Sequence, residues 1–345
     1  MSTTRRSAAS IGVLAIVLVV GACGSSGGGA PSSSSTAPTP DQSPLPSPSS
    51  GRSTAGQSPL PSPSASLPAD DGARIVNVET IGPRTLDLTI DSPAVGTQKV
   101  RILVPAGFEA QPLTRWPVLY LLHGADDSYV SWTRSTDVAA LTESTHLLVV
   151  MPEGGTDGWY SDWWNDGNGG QPMWETFHLT EVRQLLERNW HAGEKRVIAG
   201  LSMGGYGAMA YAARHPGMFL AAASFSGVLD PIEEADFVNP LVWGDSVTQA
   251  DVWQAHSPLH LASALKGIPL YVSYGNGQQG PLDAAAKPND PEATIGPEND
   301  AFVRRLKQLK IPITVDSYGP GLHAWPYWQR GLHTALPMLL KALGE

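Results

Sequence analysis

The spacing of apolar residues changes along the chain near residue 110. Before that point, three segments alternate apolar with polar positions or are rich in β-branched residues, which predicts antiparallel strands at 74–78, 85–90 and 99–104. After it come continuous apolar runs, typical of strands buried on both faces, at 117–122, 146–151, 196–199, 220–225 and 269–274. A further strand is predicted at 313–318, and helices at 174–190, 203–214, 302–309 and 327–343. This alternation predicts an α/β fold, with a mostly parallel central sheet, helices on both faces and antiparallel N-terminal strands.

The first 22 residues have the organisation of a signal peptide. Arg5 and Arg6 precede an apolar run at 11–20, and small residues lead into Cys23. The run is too short to span a bilayer core of about 30 Å. Val-Gly-Ala-Cys at 20–23 resembles the cleavage box of bacterial lipoproteins. We therefore expect lipid on Cys23 and an anchor at the outer face of the cytoplasmic membrane; the alternative is ordinary secretion.

Residues 23–72 are rich in Ser, Pro and Gly. Residues 24–71 hold 10 of the 30 prolines and no aromatic side chain, and the sequence of 42–50 recurs almost unchanged at 57–65. Such a composition cannot bury enough apolar surface to offset the entropy of the chain. We predict a disordered spacer here, and a single catalytic domain at 73–345, which contains all 11 tryptophans.

Composition excludes several classes of function. The formal net charge is −10, the opposite of the basic surface that nucleic-acid binding requires. The only Cys cannot form an intrachain disulfide or a multi-thiolate metal site, and we expect no metal and no cofactor. Gly275 to Gly280 matches the glycine pattern of dinucleotide-binding loops, but Pro281 and Pro288 leave no room for the helix that must follow.

Ser202 lies in the sequence Gly200-Leu-Ser-Met-Gly204. This G-x-S-x-G pattern follows the predicted strand at 196–199 and opens the predicted helix at 203–214. That is the placement of a nucleophile elbow, whose glycines allow a tight turn between strand and helix. The sequence therefore predicts Ser202 as a nucleophile; the alternative is a serine that caps an ordinary helix.

A serine nucleophile needs a general base and donors for the oxyanion. Of the five histidines after Ser202, only His323 follows a strand and a Gly-Pro-Gly loop just before the final helix, so it is the predicted base. The other four are His215, His256, His260 and His333. We expect the backbone N–H groups of Met203 and Ala125 to form the oxyanion hole.

Six motifs together resemble the esterase D-like superfamily, in particular its branch of mycobacterial antigen 85 mycolyltransferases. The resemblance implies an α/β-hydrolase fold, a Ser/acid/His triad and acyl transfer through a covalent acyl-enzyme. The motifs are Val149-Val-Met-Pro152, Tyr160-Ser-Asp-Trp163, Trp174-Glu-Thr-Phe177, Gly200-Leu-Ser-Met203, Gly275-Asn-Gly277 and His323-Ala-Trp-Pro-Tyr-Trp328.

The same resemblance implies an acid two residues before Phe302-Val-Arg304, which is Asp300. Family members have Glu there. Glu298 is an alternative if the helix begins elsewhere, and Asp283 is another, because it lies nearer the end of the strand at 269–274.

Three side chains are candidate substrate contacts: His123, Trp163 and Trp325. His123 stands where the mycolyltransferases carry a sugar-contacting Asp; its alternative role is to orient the loop around it. The Trp cluster at 159–164 is more typical of packing, but a tryptophan such as Trp163 also suits a sugar ring or an acyl groove.

We therefore expect an exported, monomeric serine esterase or acyltransferase that acts on an acyl-ester or glycolipid substrate. A narrower alternative is mycolyltransferase-like transfer of an acyl group to a sugar. An alternative of another class is an inactive hydrolase domain that serves as a binding module at the cell envelope.

Overall fold

The computed structural model describes residues 66–345, and these form one nine-stranded sheet. The strands are β1 (Arg74–Thr80), β2 (Thr85–Ser92), β3 (Gly96–Leu103), β4 (Trp116–Leu122), β5 (Leu148–Pro152), β6 (Ala192–Leu201), β7 (Ala222–Phe225), β8 (Leu270–Gly275) and β9 (Thr314–Gly319). Their order across the sheet is β1-β2-β3-β5-β4-β6-β7-β8-β9. The predicted signal peptide at 1–22 and Cys23 lie outside the described residues.

Strand direction divides the sheet into two parts. The neighbours from β1 to β5 pair antiparallel, whereas β5, β4, β6, β7, β8 and β9 run parallel to one another. All residues of β5, β7 and β8 are buried, as their unbroken apolar sequences predict. The predicted mixed sheet is confirmed.

Helices cover both faces of this sheet. They are α1 (Ser131–Ser135), α2 (Val138–Leu141), α3 (Trp174–Thr176), a π-helical stretch (Phe177–Val182), α4 (Arg183–Asn189), α5 (Met203–Arg214), α6 (Pro240–Trp243), α7 (Ala250–His256), α8 (Glu292–Gln308) and α9 (Trp325–Leu343). One core contains residues of α4, α5 and α8, and a second contains residues of α1 and α9. None of the helices in the described part of the chain is long and apolar enough to cross a membrane.

Most boundaries lie within four residues of the sequence predictions, and two differ by more. Helix α8 begins at Glu292, ten residues before the predicted start at 302, because its first turns carry few apolar residues and include Pro297. Residues 66–72, predicted as the end of the spacer, pack on the domain. Ala69 is buried, and the backbone N–H of Leu67 donates to Asn189 Oδ1 at 2.7 Å.

Candidate active site

Ser202 occupies a strained turn between β6 and α5. Its φ and ψ are 53° and −124°, a conformation that non-glycine residues rarely adopt and that needs support from its surroundings. Part of that support is the Ser202 N–H, which donates to the Phe225 carbonyl at 3.0 Å. A Cβ on Gly204 would lie 2.4 Å from the Leu122 carbonyl oxygen, so only glycine lets α5 approach β4 this closely. The predicted strand–turn–helix placement of Ser202 is present.

His323 lies in the loop between β9 and α9, at the carboxyl end of the parallel strands, as Ser202 does. Its Nδ1–H donates to Glu292 Oε2 at 2.7 Å. The ring meets Trp328 edge-on, with centroids 4.9 Å apart. The carboxylate fixes the proton on Nδ1, which leaves Nε2 as the free acceptor.

Glu292 is fully buried, and both of its oxygens accept hydrogen bonds. Besides His323, its partners are Ser226 Oγ at 2.8 Å, the Gly275 N–H at 2.6 Å and, more distantly, Tyr318 Oη at 3.5 Å. Burial, and then the Glu292 charge, raise the pKa of Tyr318. Hydrogen bonds of this kind make a buried ionised carboxylate tolerable, because they replace its lost water shell.

The prediction of Asp300 as the partner of His323 is therefore wrong. Asp300 lies on the exposed side of α8, two turns beyond Glu292, and accepts a hydrogen bond from Tyr274 Oη at 2.5 Å. Eight residues along a helix correspond to about 12 Å, too far for an aspartate side chain to reach back.

Glu298 and Asp283, the alternatives, also lie elsewhere. Burial, followed by the neighbouring Glu234 carboxyl, raises the pKa of Glu298 to about 9, so this side chain is neutral at pH 7 and cannot stabilise an imidazolium.

Asp283 Oδ2 accepts from the Gly280 N–H at 2.8 Å, the Leu322 N–H at 3.2 Å and Tyr327 Oη at 3.0 Å. It stabilises the loop that carries His323 without touching the imidazole.

A sequence signal for Glu292 exists in Asp290-Pro291-Glu292. An aspartate followed by a proline and a glutamate is typical of the start of a helix. A helix starting here also places the glutamate in its first turn, next to the loop after β8. The same signal includes Asp290.

Ser202 and His323 are joined through their neighbours. The Ser202 N–H donates to the Phe225 carbonyl, the next residue Ser226 donates to Glu292, and Glu292 accepts from His323. Ser202 Oγ makes no hydrogen bond with His323 among the contacts of residues 66–345. Hydrogen bonds between catalytic groups are often loose in a resting site and tighten when substrate binds.

Ser202 opens into a cleft of about 400 Å³. Ala125 and Met203 line it, and Met203 is the first residue of α5, where backbone N–H groups have no partner inside the helix. The walls are Trp159, Val228, Phe237, Pro291, Thr294 and Ile295, with Thr156 and three acidic side chains, Asp126, Asp157 and Glu234. Burial, reinforced by the charge of Asp126, raises the pKa of Asp157.

His123 is not available to a substrate, so its prediction as a substrate contact is wrong. It is 1% exposed, and both ring nitrogens are occupied. Nδ1–H donates to the Gly124 carbonyl at 2.7 Å, and Nε2 accepts the Gly154 N–H at 2.8 Å. His123 thus joins the loop after β4 to the loop after β5, which is the structural role left open above.

Trp163 and Trp325 do not line the cleft either. Trp163 donates its indole N–H to the Gly158 carbonyl at 3.2 Å, and Trp325 packs edge-on against Trp132 and Trp328. The tryptophan in the cleft is Trp159. Its positive φ of 50° turns the chain there, a feature that the Trp-rich sequence does not reveal.

Two other features of the described residues do not form a candidate site. A concavity of about 1220 Å³ includes the amino ends of β4 and β6, the edge opposite Ser202. Ligands of open α/β sheets bind at the carboxyl ends of the strands, so this concavity is not the candidate site. Within residues 66–345, no group of three His, Cys, Asp or Glu side chains is arranged to hold a metal ion.

A mostly parallel sheet, with a strained serine between a strand and a helix and a histidine after the last strand, defines the α/β-hydrolase class. The chain belongs to the Esterase family, which matches residues 94–339.

Two relatives illustrate this membership. The diacylglycerol acyltransferase/mycolyltransferase Ag85B of Mycobacterium intracellulare is 31% identical over 252 residues, which are 66% of this chain and 76% of that protein. Esterase Rv1288 of Mycobacterium tuberculosis is 35% identical over 162 residues, which are 45% of this chain and 35% of that protein. The predicted resemblance to the esterases and the antigen 85 branch is confirmed.

A solved structure supports the fold alone. An S-formylglutathione hydrolase from Agrobacterium tumefaciens superposes with a TM-score of 0.63 at 17% identity, covering 78% of this chain and 99% of that chain.

Proposed function

We propose that this protein is a serine-dependent esterase or acyltransferase. The observation that carries the proposal is the buried Glu292–His323 pair at the sheet edge where Ser202 sits on its strained turn. The fold does not need this combination for its stability, because a strained backbone and a buried charge both cost free energy. Both are typical of sites that a reaction requires.

The reaction follows from the roles of these groups. His323 Nε2 takes the proton of the Ser202 hydroxyl while Oγ attacks the ester carbonyl, and Glu292 stabilises the imidazolium that forms. The Met203 and Ala125 N–H groups stabilise the oxyanion. His323 then gives its proton to the leaving alcohol, and an acyl-enzyme remains. A water or a second alcohol, deprotonated by His323, attacks the acyl-enzyme and releases the acid or a new ester.

The charges in the cleft favour uncharged or cationic esters over anionic ones. Asp126, Asp157 and Glu234 line it, and none of the described lining residues is Lys, Arg or His. A negative group on the substrate would meet these carboxylates in a partly desolvated space, where repulsion is stronger than in water.

The final acyl acceptor is water or a sugar hydroxyl. The names of the relatives include both an esterase and an acyltransferase/mycolyltransferase. Incubation with an activated acyl ester, with and without trehalose, followed by mass spectrometry of the products, separates hydrolysis from transfer.

The nucleophile is tested with Ser202→Ala and a fluorophosphonate probe. We expect the wild-type protein to be labelled at Ser202 and to hydrolyse p-nitrophenyl butyrate, and the variant to show neither activity. Undiminished labelling or turnover in the variant would contradict the proposal. A wild-type protein without turnover would favour a binding module.

We further propose that the protein is exported and anchored by lipid on Cys23, since residues 1–23 have the charge, length and small residues of a lipoprotein signal. Feeding producing cells an alkyne fatty acid should label the wild-type protein and not Cys23→Ala. Equal labelling of both would exclude this site.

A further inference from the structure

Asp290 contacts the backbone of both residues in the acid–base pair. Its Oδ1 accepts the Glu292 N–H at 3.0 Å and the His323 N–H at 2.8 Å. The side chain is completely buried. Its Oδ2 lies 3.7 Å from Lys287 Nζ and has no hydrogen-bond partner among residues 66–345. Burying a carboxylate is costly unless it is well paired, so its position needs an explanation beyond packing.

The two N–H groups that share this oxygen belong to distant segments. Glu292 is in the first turn of α8, and His323 is 31 residues later in the loop after β9. A single acceptor therefore fixes the start of α8 and the His323 backbone relative to each other. Pro291 between Asp290 and Glu292 has a φ of −56°, which limits the freedom of this link.

We propose that Asp290 is a positioning residue for the triad of Ser202, His323 and Glu292. It acts through the backbone of His323 and Glu292, and it holds the Nδ1–Oε2 contact at hydrogen-bonding distance. The inference rests on the proposed function, because it concerns the same site. This positioning role of Asp290 is distinct from the roles of the nucleophile and the base.

Asparagine distinguishes the accepting oxygen from the negative charge. Asp290→Asn keeps an Oδ1 that can accept both N–H groups and removes the charge, whereas Asp290→Ala removes both. Asp245→Ala is a matched control, since Asp245 Oδ1 also accepts two backbone N–H groups, from Val247 at 3.2 Å and Thr248 at 2.8 Å, outside the cleft.

The experiment uses the full chain and measures two quantities with a fluorophosphonate probe: the fraction of protein labelled at completion and the rate of labelling. Steady-state kcat and KM on p-nitrophenyl butyrate are measured alongside. Loss of folded protein lowers the labelled fraction and leaves the rate of the remainder unchanged. A displaced base lowers the rate and leaves the final fraction complete.

We expect Asp290→Ala to be labelled completely but about 10- to 100-fold more slowly, with the loss in kcat rather than KM, because small displacements of catalytic groups have effects of this size. Asp290→Asn should remain within about threefold of the wild type, and Asp245→Ala should match the wild type.

Three outcomes would overturn the inference: an unchanged rate in Asp290→Ala, a reduced labelled fraction as its only defect, or an equal loss of rate in the Asn and Ala variants. Failure of the proposed function is a separate result, because it appears as labelling or turnover that survives Ser202→Ala.

Discussion

Several acidic residues between β8 and the middle of α8 differ in role because their neighbours differ. Glu292 faces His323, whereas Asp283 and Asp290 accept backbone N–H groups of the loop that carries it. Glu298 is buried beside another carboxyl and is neutral at pH 7, and Asp300 is exposed. At the scale of the residue, surroundings and not residue type determine which carboxyl can orient the base.

Replacing Glu292 tests this assignment directly. Glu292→Gln should lower kcat on p-nitrophenyl butyrate by about 10³- to 10⁴-fold, because an amide neither stabilises the imidazolium nor fixes the tautomer. Asp300→Asn is the matched control and should stay within about twofold, as an exposed substitution outside the site. A large loss in Asp300→Asn with an active Glu292→Gln would restore the original prediction.

Asp157 is expected to discriminate substrates by charge. The test compares kcat/KM for p-nitrophenyl hexanoate with kcat/KM for mono-p-nitrophenyl adipate. The adipate has the same chain length and adds a carboxylate. Asp157→Asn should raise kcat/KM for the adipate relative to the hexanoate by about tenfold, because one repulsive charge is removed from a partly buried cleft. Asp236→Asn changes an exposed acid that does not line the cleft, and it should leave the ratio unchanged. An unaltered ratio in Asp157→Asn would contradict the proposed preference.

At the scale of elements, the junction of β4, β6 and α5 sets the geometry at Ser202. Gly204 in the first turn of α5 lies against the end of β4, and the loop that follows β4 carries the proposed oxyanion donor Ala125. Close packing of these elements therefore controls the distance between the nucleophile and that donor.

Gly204→Ala should disturb both stability and reactivity. The added Cβ would lie 2.4 Å from the Leu122 carbonyl oxygen, so the loop after β4 must shift. We expect a loss of about 2 kcal/mol in the free energy of unfolding, measured in urea, and slower fluorophosphonate labelling. Gly82→Ala, where the nearest atom is 3.7 Å away, should change the free energy by less than about 0.5 kcal/mol. Equal effects in the two variants would be inconsistent with this packing.

At the scale of the whole molecule, the buried neutral histidine His178 connects parts that are distant in sequence. His178, in the π-helical stretch, donates to the Glu153 carbonyl at 2.8 Å and accepts from Tyr211 Oη at 2.8 Å. Burial lowers the pKa of His178 to about 4, and burial together with the charge of Arg214 does the same for His256. The hydrogen bond that His178 accepts from Tyr211 requires a neutral imidazole, so it depends on pH.

The fold should lose stability in mild acid. A histidine with a depressed pKa binds its proton more readily in the unfolded chain, so its contribution is present above about pH 6.5 and is lost as the pH falls toward about 4. His178→Gln should reduce the fall in unfolding free energy between pH 7 and pH 5 by about 2 kcal/mol, measured by urea denaturation. A wild-type free energy that is constant over this range would contradict the prediction.

The sequence by itself determined the sheet, the turn at Ser202 and the position of His323. Unbroken apolar runs indicate strands buried on both faces, and a G-x-S-x-G turn between a strand and a helix is a local signal, so neither needs distant contacts to be recognised. Tertiary structure alone decided that Glu292 faces His323, that Asp290 links both, and that His123 is buried. The physical reason is that these roles depend on burial and on hydrogen-bond partners, which segments far apart in the sequence supply only when the chain folds.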